Sequence, residues 1–127
     1  MRKQTFFTTE APPPAASYSQ AVRKGNMLAI AGQVGTVPAT GALAGPDIAT
    51  QARQTLRNLQ AVLTSANASF DDIIMVRVYL TSAELFGPFN EIYAEFVPES
   101  PPSRTTVFVG LGPGMLIEID ALAVLDD

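Results

Sequence analysis

The chain has 127 residues, 47% of them apolar and 16% charged, a length that supports one hydrophobic core, so we predict a single domain over residues 1–127. With no cysteine and no histidine it lacks disulfides, thiol nucleophiles and the commonest general base, and we expect no metal site. Eight basic residues against twelve acidic ones argue against a nucleic-acid partner, because duplex affinity comes from Lys and Arg neutralising phosphates.

The apolar runs are short. None approaches the length of a membrane span, and the first residues lack the apolar segment of a secretory signal. We therefore expect a cytoplasmic protein that makes no membrane contact.

The N-terminal part predicts an arm followed by a hairpin. Residues 1–16 include three consecutive prolines, which favour an extended arm, and Thr5–Thr8 is a candidate edge strand. Two strand-like runs, Tyr18–Val22 and Met27–Ala31, then flank a turn that contains Gly25-Asn26.

A helix is predicted from Asp47, a good N-cap residue, to Ala66. Apolar residues recur at spacings of three and four over this range, which places them on one face. That predicted buried face contains Ile48, Ala52, Leu56, Leu59, Val62, Leu63 and Ala66. The opposite face is expected to be solvated and contains Gln51, Arg53, Arg57 and Gln60.

A central strand is predicted over 73–80, because this segment is nearly all apolar and rich in β-branched residues. A second helix follows, with Thr81 and Glu84 as a capping box, a break at Gly87-Pro88 and an end at Phe96.

Two final strands, Arg104–Val109 and Leu116–Val124, are joined by a loop rich in turn formers. The order β-β-α-β-α-β-β places two helices on one face of a mixed sheet, an α/β (α+β) fold. Because several strands are apolar on both faces, we expect the uncovered face to pack against another copy of the chain.

Polar side chains lie within these last two strands. If the strands pair as an antiparallel hairpin, Arg104 faces Asp120 and Thr106 faces Glu118, all on one side of the sheet. In a functional interpretation Arg104 grips a carboxylate with its planar fork and Asp120 positions or deprotonates a water. Alternatively, Arg104 and Asp120 form a structural ion pair at an oligomer interface, and the pattern alone leaves both hypotheses open.

Seven segments form an ordered series along the chain: Ser17–Val22, Gly25–Met27, Ala31–Gln33, Gln51–Leu59, Phe89–Tyr93, Pro102–Val107 and Ile117–Val124. The series resembles the successive motifs of the Rid (YjgF-type) family of imine and enamine deaminases, from about residue 15 to the end. Each motif alone is weakly specific, and the ordered series carries the resemblance.

The resemblance implies a chorismate-mutase-like fold and a homotrimer with a barrel-like core and sites in the clefts between subunits. It also implies a cofactor-free activity, the hydrolysis of reactive 2-imino and 2-enamino acids such as 2-aminoacrylate to a 2-keto acid and ammonia.

The resemblance further implies roles for particular residues. Arg104 matches the arginine that holds the substrate carboxylate, and Asp120 matches the carboxylate that orients the attacking water. The remaining positions line the pocket: Tyr18, Gly32, Asn90 and Thr106. Thr106 stands where typical members have cysteine, and Asp120 where they have glutamate. A carboxylate retracted by about 1 Å costs roughly a hundredfold in rate, so we expect activity or substrate preference to differ.

Other functions remain open at this point. One is a non-catalytic trimer that binds a keto acid or related metabolite and regulates a partner. Another is a pathway-specific Rid homologue that acts on aminomuconate or a pyrimidine-breakdown intermediate. Endoribonuclease activity is disfavoured, because the chain is acidic and has no histidine for acid–base chemistry.

Overall fold

The computed structural model describes residues 2–126, which form a mixed six-stranded sheet with two α-helices packed on it. The strands are β1 (Gln4–Phe6), β2 (Ala21–Lys24), β3 (Met27–Val34), β4 (Ile73–Leu80), β5 (Ser103–Phe108) and β6 (Ile117–Val124). The helices are α1 (Ile48–Ser65) and α2 (Phe86–Tyr93), with single 3₁₀ turns at Phe70–Asp72 and Ala83–Leu85. The spatial order is β1-β2-β3-β6-β4-β5, in which only β4 and β5 are parallel neighbours.

The predicted opening hairpin is confirmed. Lys24 pairs with Met27, so the turn is the two residues Gly25-Asn26, and Gly25 has a φ of 62°, a conformation that glycine adopts without strain. The first strand of the hairpin, β2, runs from Ala21 to Lys24 where Tyr18–Val22 was predicted, so Tyr18 precedes the strand. The edge strand is Gln4–Phe6 and pairs with β2.

The predicted first helix is confirmed, including its cap. The Asp47 carboxylate accepts a hydrogen bond from the Thr50 amide at 3.0 Å, and the predicted apolar face is buried. The expectation that Gln51 is solvated is wrong. Its side-chain amide donates to the carbonyls of Gly45 and Gly114, and its oxygen accepts from the Leu116 amide. The loop before β6 folds over this position, which helical periodicity alone does not reveal.

The second helix differs from the prediction at both ends. Ser82, not Thr81, precedes the 3₁₀ turn, and neither forms the predicted capping box. Pro88 is the third residue of α2, where a missing N–H costs no helical hydrogen bond, so the helix continues through it. It ends at Tyr93.

The predicted C-terminal hairpin is wrong. β6 inserts between β3 and β4, and β5 lies parallel to β4 on the far side, so β5 and β6 are not neighbours. The segment from β4 through α2 to β5 is a crossover unit, the connection that parallel strands require. A turn-rich loop after β5 is compatible with either arrangement, and the choice depends on contacts distant in sequence.

This topology separates the residues that the hairpin would have brought together. Arg104 pairs with Val76, whose side chain is buried beneath the helices. Asp120 pairs with Arg77, the next residue of β4, whose side chain points to the opposite face of the sheet. Because side chains alternate along a strand, Arg104 and Thr106 face the helix-covered side, and Glu118 and Asp120 face the opposite side.

We call that opposite side the bare face of the sheet. It carries the charged residues of β4 and β6 together with exposed apolar ones, among them Val107 and Val124, which are 39% and 37% exposed. The helix-covered side holds the core. No helix within residues 2–126 is long and apolar enough to cross a membrane.

Candidate functional site

The guanidinium site comprises Arg104, Asn90 and three aromatic residues of the α2 segment. Arg104 Nη2 donates to Oδ1 of Asn90 at 2.8 Å. Its Cζ lies 5.6, 5.3 and 4.9 Å from the ring centroids of Phe86, Phe89 and Tyr93. Cation–π contact and one hydrogen bond therefore fix the plane of the guanidinium.

This site retains unused donors. Across residues 2–126 the bond to Asn90 is the one hydrogen bond found for the Arg104 fork, which has five N–H donors. The buried Tyr93 hydroxyl likewise finds no partner among the described residues. Burial raises the pKa of Tyr93, opposed by the charge of Arg104, so the hydroxyl keeps its proton. A planar anion is the ligand that such a fork binds best.

A second group lines a cavity of about 480 Å³ on the bare face, which we call the carboxylate cavity. Tyr18, Gly32 and Glu118 contribute to its wall, and the proline-rich arm closes one side. A Cβ built on Gly32 would lie 2.8 Å from Cδ of Glu118, so glycine is what allows the carboxylate to lie against β3. The β3–β6 register shifts between Ile30 and Gln33 at this point.

Glu118 is electrostatically unusual. Burial raises the pKa of its carboxyl, and the negative charge of Asp120 raises it further. A carboxyl that keeps its proton more readily than usual, in a cavity, is suited to general acid–base work.

Asp120, in contrast, is fully engaged. Its Oδ1 accepts from Nε of Arg77 at 2.8 Å, and its Oδ2 accepts from the Tyr79 hydroxyl at 2.9 Å. Burial raises the pKa of Tyr79, and the bond to Asp120 raises it further. The alternative of an ion pair between Arg104 and Asp120 is therefore wrong, because the cation that pairs with Asp120 is Arg77.

The predicted site residues thus fall into two sets. Arg104 and Asn90 are in contact, and Thr106 lies on the same side of β5. Tyr18 and Gly32 instead line the carboxylate cavity with Glu118. Sequence reasoning missed the positions of Arg77 and Tyr79. The signal available for them was their alternation with the buried residues of β4, which places them on the bare face.

The comparisons with known proteins agree with this architecture. The family described as Endoribonuclease L-PSP matches residues 8–125. A RutC family protein of Pyrococcus horikoshii is 46% identical over 122 residues, 95% of this chain and 97% of the relative. The 2-iminobutanoate/2-iminopropanoate deaminase of Mus musculus is 36% identical over 123 residues, 96% of this chain and 91% of the relative.

Among solved structures, the crystal structure of E. coli TdcF with bound serine superposes with a TM-score of 0.90 at 32% identity, over 97% of this chain and 99% of that one. The predicted chorismate-mutase-like α+β fold is therefore confirmed, with two helices on one face of a mixed sheet. Together, the profile match over nearly the whole length and these relatives establish that the chain belongs to the Endoribonuclease L-PSP family, the Rid (YjgF-type) family whose motifs it resembles.

Proposed function

We propose that this protein is a cofactor-free deaminase that hydrolyses reactive 2-imino and 2-enamino acids to 2-keto acids and ammonia. The observation that carries the proposal is Glu118, a carboxyl with a raised pKa held against Gly32 in the carboxylate cavity. The deaminase name of the mouse relative supports the reaction, and the serine bound by TdcF supports a small ligand with a carboxylate.

The two halves of the site are proposed to meet between subunits. Arg104 and Glu118 lie on opposite sides of one sheet, so a single chain cannot present both to one small substrate. A second copy removes that obstacle by placing its guanidinium site over the first copy's carboxylate cavity. Contacts between two different surfaces form a ring when the rotation from copy to copy closes, and a ring of three agrees with the homotrimer that the family resemblance implies.

Arg104 is proposed to bind the substrate carboxylate. Its fork, oriented by Asn90 and the aromatic rings, forms two parallel hydrogen bonds to the two carboxylate oxygens. The backbone at Thr106, on the same side of β5, would line this half. Binding at the carboxylate positions the adjacent C2 carbon of the imine for attack.

Glu118 is proposed to move the protons. The protonated Glu118 first donates its proton, to C3 of an enamine or to the nitrogen of an imine, which gives the iminium ion and leaves a carboxylate. The oxygen of a water molecule then adds to C2, and the carboxylate accepts a proton from that water and passes it to the nitrogen. The C2–N bond breaks, ammonia leaves, the hydroxyl on C2 returns its proton to Glu118, and the 2-keto acid remains.

This assignment replaces Asp120 with Glu118. Asp120 is held by Arg77 and Tyr79, whereas Glu118 lies in the cavity with Gly32 and Tyr18. The loss of rate expected from an aspartate in place of glutamate therefore does not apply to this cavity, because its carboxylate is a glutamate.

Complementation tests the reaction and the shared site together. The substrate is generated in situ from an amino acid, and ammonia release is followed with wild type, Arg104→Ala, Glu118→Gln and a co-assembled mixture of both variants. At a substrate concentration below KM, we expect wild type to accelerate release, each variant to release ammonia far more slowly and the mixture to regain part of the wild-type rate. Arg57→Ala, which removes an exposed arginine of α1, is the matched control.

Two outcomes would contradict the proposal. If wild type bound a 2-keto acid without accelerating ammonia release, the protein would be a metabolite-binding member of the family. If the co-assembled mixture released ammonia no faster than the two variants alone, the two residues would not act across a shared interface.

A further inference from the structure

The bare face holds a cluster that the proposed reaction does not use directly. We call Arg77, Tyr79 and Asp120 the aspartate clamp. The Asp120 side chain is 16% exposed, and both of its carboxylate oxygens are bonded within the clamp. Its orientation is thereby fixed by two donors from one neighbouring strand.

The clamp is adjacent to the carboxylate cavity. Asp120 and Glu118 are two residues apart on β6, so their side chains leave the same face about 7 Å apart along the strand. Across the ladder Tyr79 pairs with Glu118, although its hydroxyl bonds to Asp120. The Tyr79 side chain therefore extends along the sheet from the level of Glu118 to the level of Asp120.

Few charged groups face Glu118. Asp120 comes from its own strand, Arg77 and Tyr79 come from β4, and Tyr18 comes from the segment before β2. On the other side β3 contributes Gly32 and Val34, neither of which ionises. The aspartate clamp is therefore the main source of charge beside Glu118 within the described chain.

Both donors of the clamp bond to Asp120 and leave Glu118 as the carboxyl that exchanges protons. We propose that Asp120, held by Arg77 and Tyr79, is a positioning residue whose fixed negative charge keeps on Glu118 the proton that deamination uses. The inference rests on the proposed function for its consequence in catalysis. Its electrostatic part stands on the geometry of β4 and β6.

The direction of each effect follows from the sign of the charge removed. Asp120→Asn keeps the shape and removes the negative charge, so Glu118 loses its proton at lower pH. Arg77→Gln removes the positive charge that offsets Asp120, so Glu118 keeps its proton to higher pH. Arg77→Lys keeps the positive charge without the planar fork, so the titration midpoint of Glu118 should return toward that of wild type.

The test is a pH titration of ¹³C-labelled glutamate side chains by NMR in the assembled protein, with the Glu118 signal assigned by its loss in Glu118→Gln. We expect a lower midpoint in Asp120→Asn and a higher one in Arg77→Gln. In both variants the alkaline limb of the pH profile of kcat should shift in the same direction as the Glu118 midpoint. A merely structural role would instead lower kcat at every pH.

An unmoved or raised midpoint in Asp120→Asn would overturn the proposal, as would a lowered one in Arg77→Gln. Arg77 is 57% exposed, so Arg77→Gln keeps the test available if Asp120→Asn does not fold. The titration needs no substrate. A wild type inactive in the ammonia assay would refute the proposed function, while the titration would still decide whether the clamp acts on Glu118.

Discussion

The two faces of the sheet differ in what their side chains contact. On the helix-covered face, apolar side chains of α1, β4 and β6 bury one another, and the buried polar residues Gln51 and Asn58 are bonded to backbone groups. On the bare face, charged and apolar residues lie side by side with no covering layer in the described chain. The first face holds the core of one chain and supplies stability, whereas the second is proposed to pack against another copy and to carry the proton transfer.

Glu118→Gln is the sharpest test of the chemical role assigned to the bare face. General acid–base catalysis contributes roughly 10²–10⁴ to a rate, so we expect kcat for ammonia release to fall about a thousandfold. Steady-state kinetics on the in situ substrate measures this. Glu99→Gln, which changes an exposed glutamate in a loop, should leave kcat unchanged, and an equal loss in both variants would contradict the assignment.

Arg104→Ala tests the guanidinium site at the rim of the covered face. Charge-assisted hydrogen bonds contribute about 1.5–3 kcal/mol, so kcat/KM should fall about a hundredfold, mainly through KM. Arg104→Lys keeps the charge but loses the fork and should lie between wild type and alanine. Calorimetric titration with a 2-keto acid gives an independent measure, in which undiminished binding by Arg104→Ala would remove Arg104 from the site.

Leu59→Ala tests whether stability resides on the covered face. Leu59 is 0% exposed on α1, and truncation of such a leucine costs about 3 kcal/mol in the free energy of unfolding. Chemical denaturation measures the loss. The neighbouring exposed Gln60→Ala should change stability by no more than about 0.5 kcal/mol, and similar losses in both would show that this helix face does not form the core.

The smallest expected effect is the change in thermal stability of Glu118→Gln with pH. Because the folded pKa of Glu118 is raised, its contribution to stability is present below its unfolded pKa and is lost as pH rises through the folded value. The glutamine variant should thus unfold at a higher temperature than wild type at neutral pH. In acid the melting temperatures of the two proteins should converge. Thermal melts at a series of pH values measure this, and a difference that stayed constant with pH would show that the folded pKa of Glu118 is not raised.

Local sequence signals determined much of this protein. The Asp47 cap and the three-four spacing fixed α1, the apolar run fixed β4, and Gly25-Asn26 fixed the turn between β2 and β3. The ordered motifs identified the family. These features depend on residues a few positions apart, and backbone geometry and side-chain periodicity act at that range.

Only the tertiary structure decided which strands are neighbours and which carboxylate lies in the cavity. Alternation along β5 and β6 is the same in a hairpin and in the observed crossover, yet the first would join Arg104 to Asp120 and the second separates them. Glu118 and Asp120 share one face, and the close approach of β3 at Gly32 distinguishes them. Strand order and such approaches arise from contacts between segments distant in sequence, which no local period encodes.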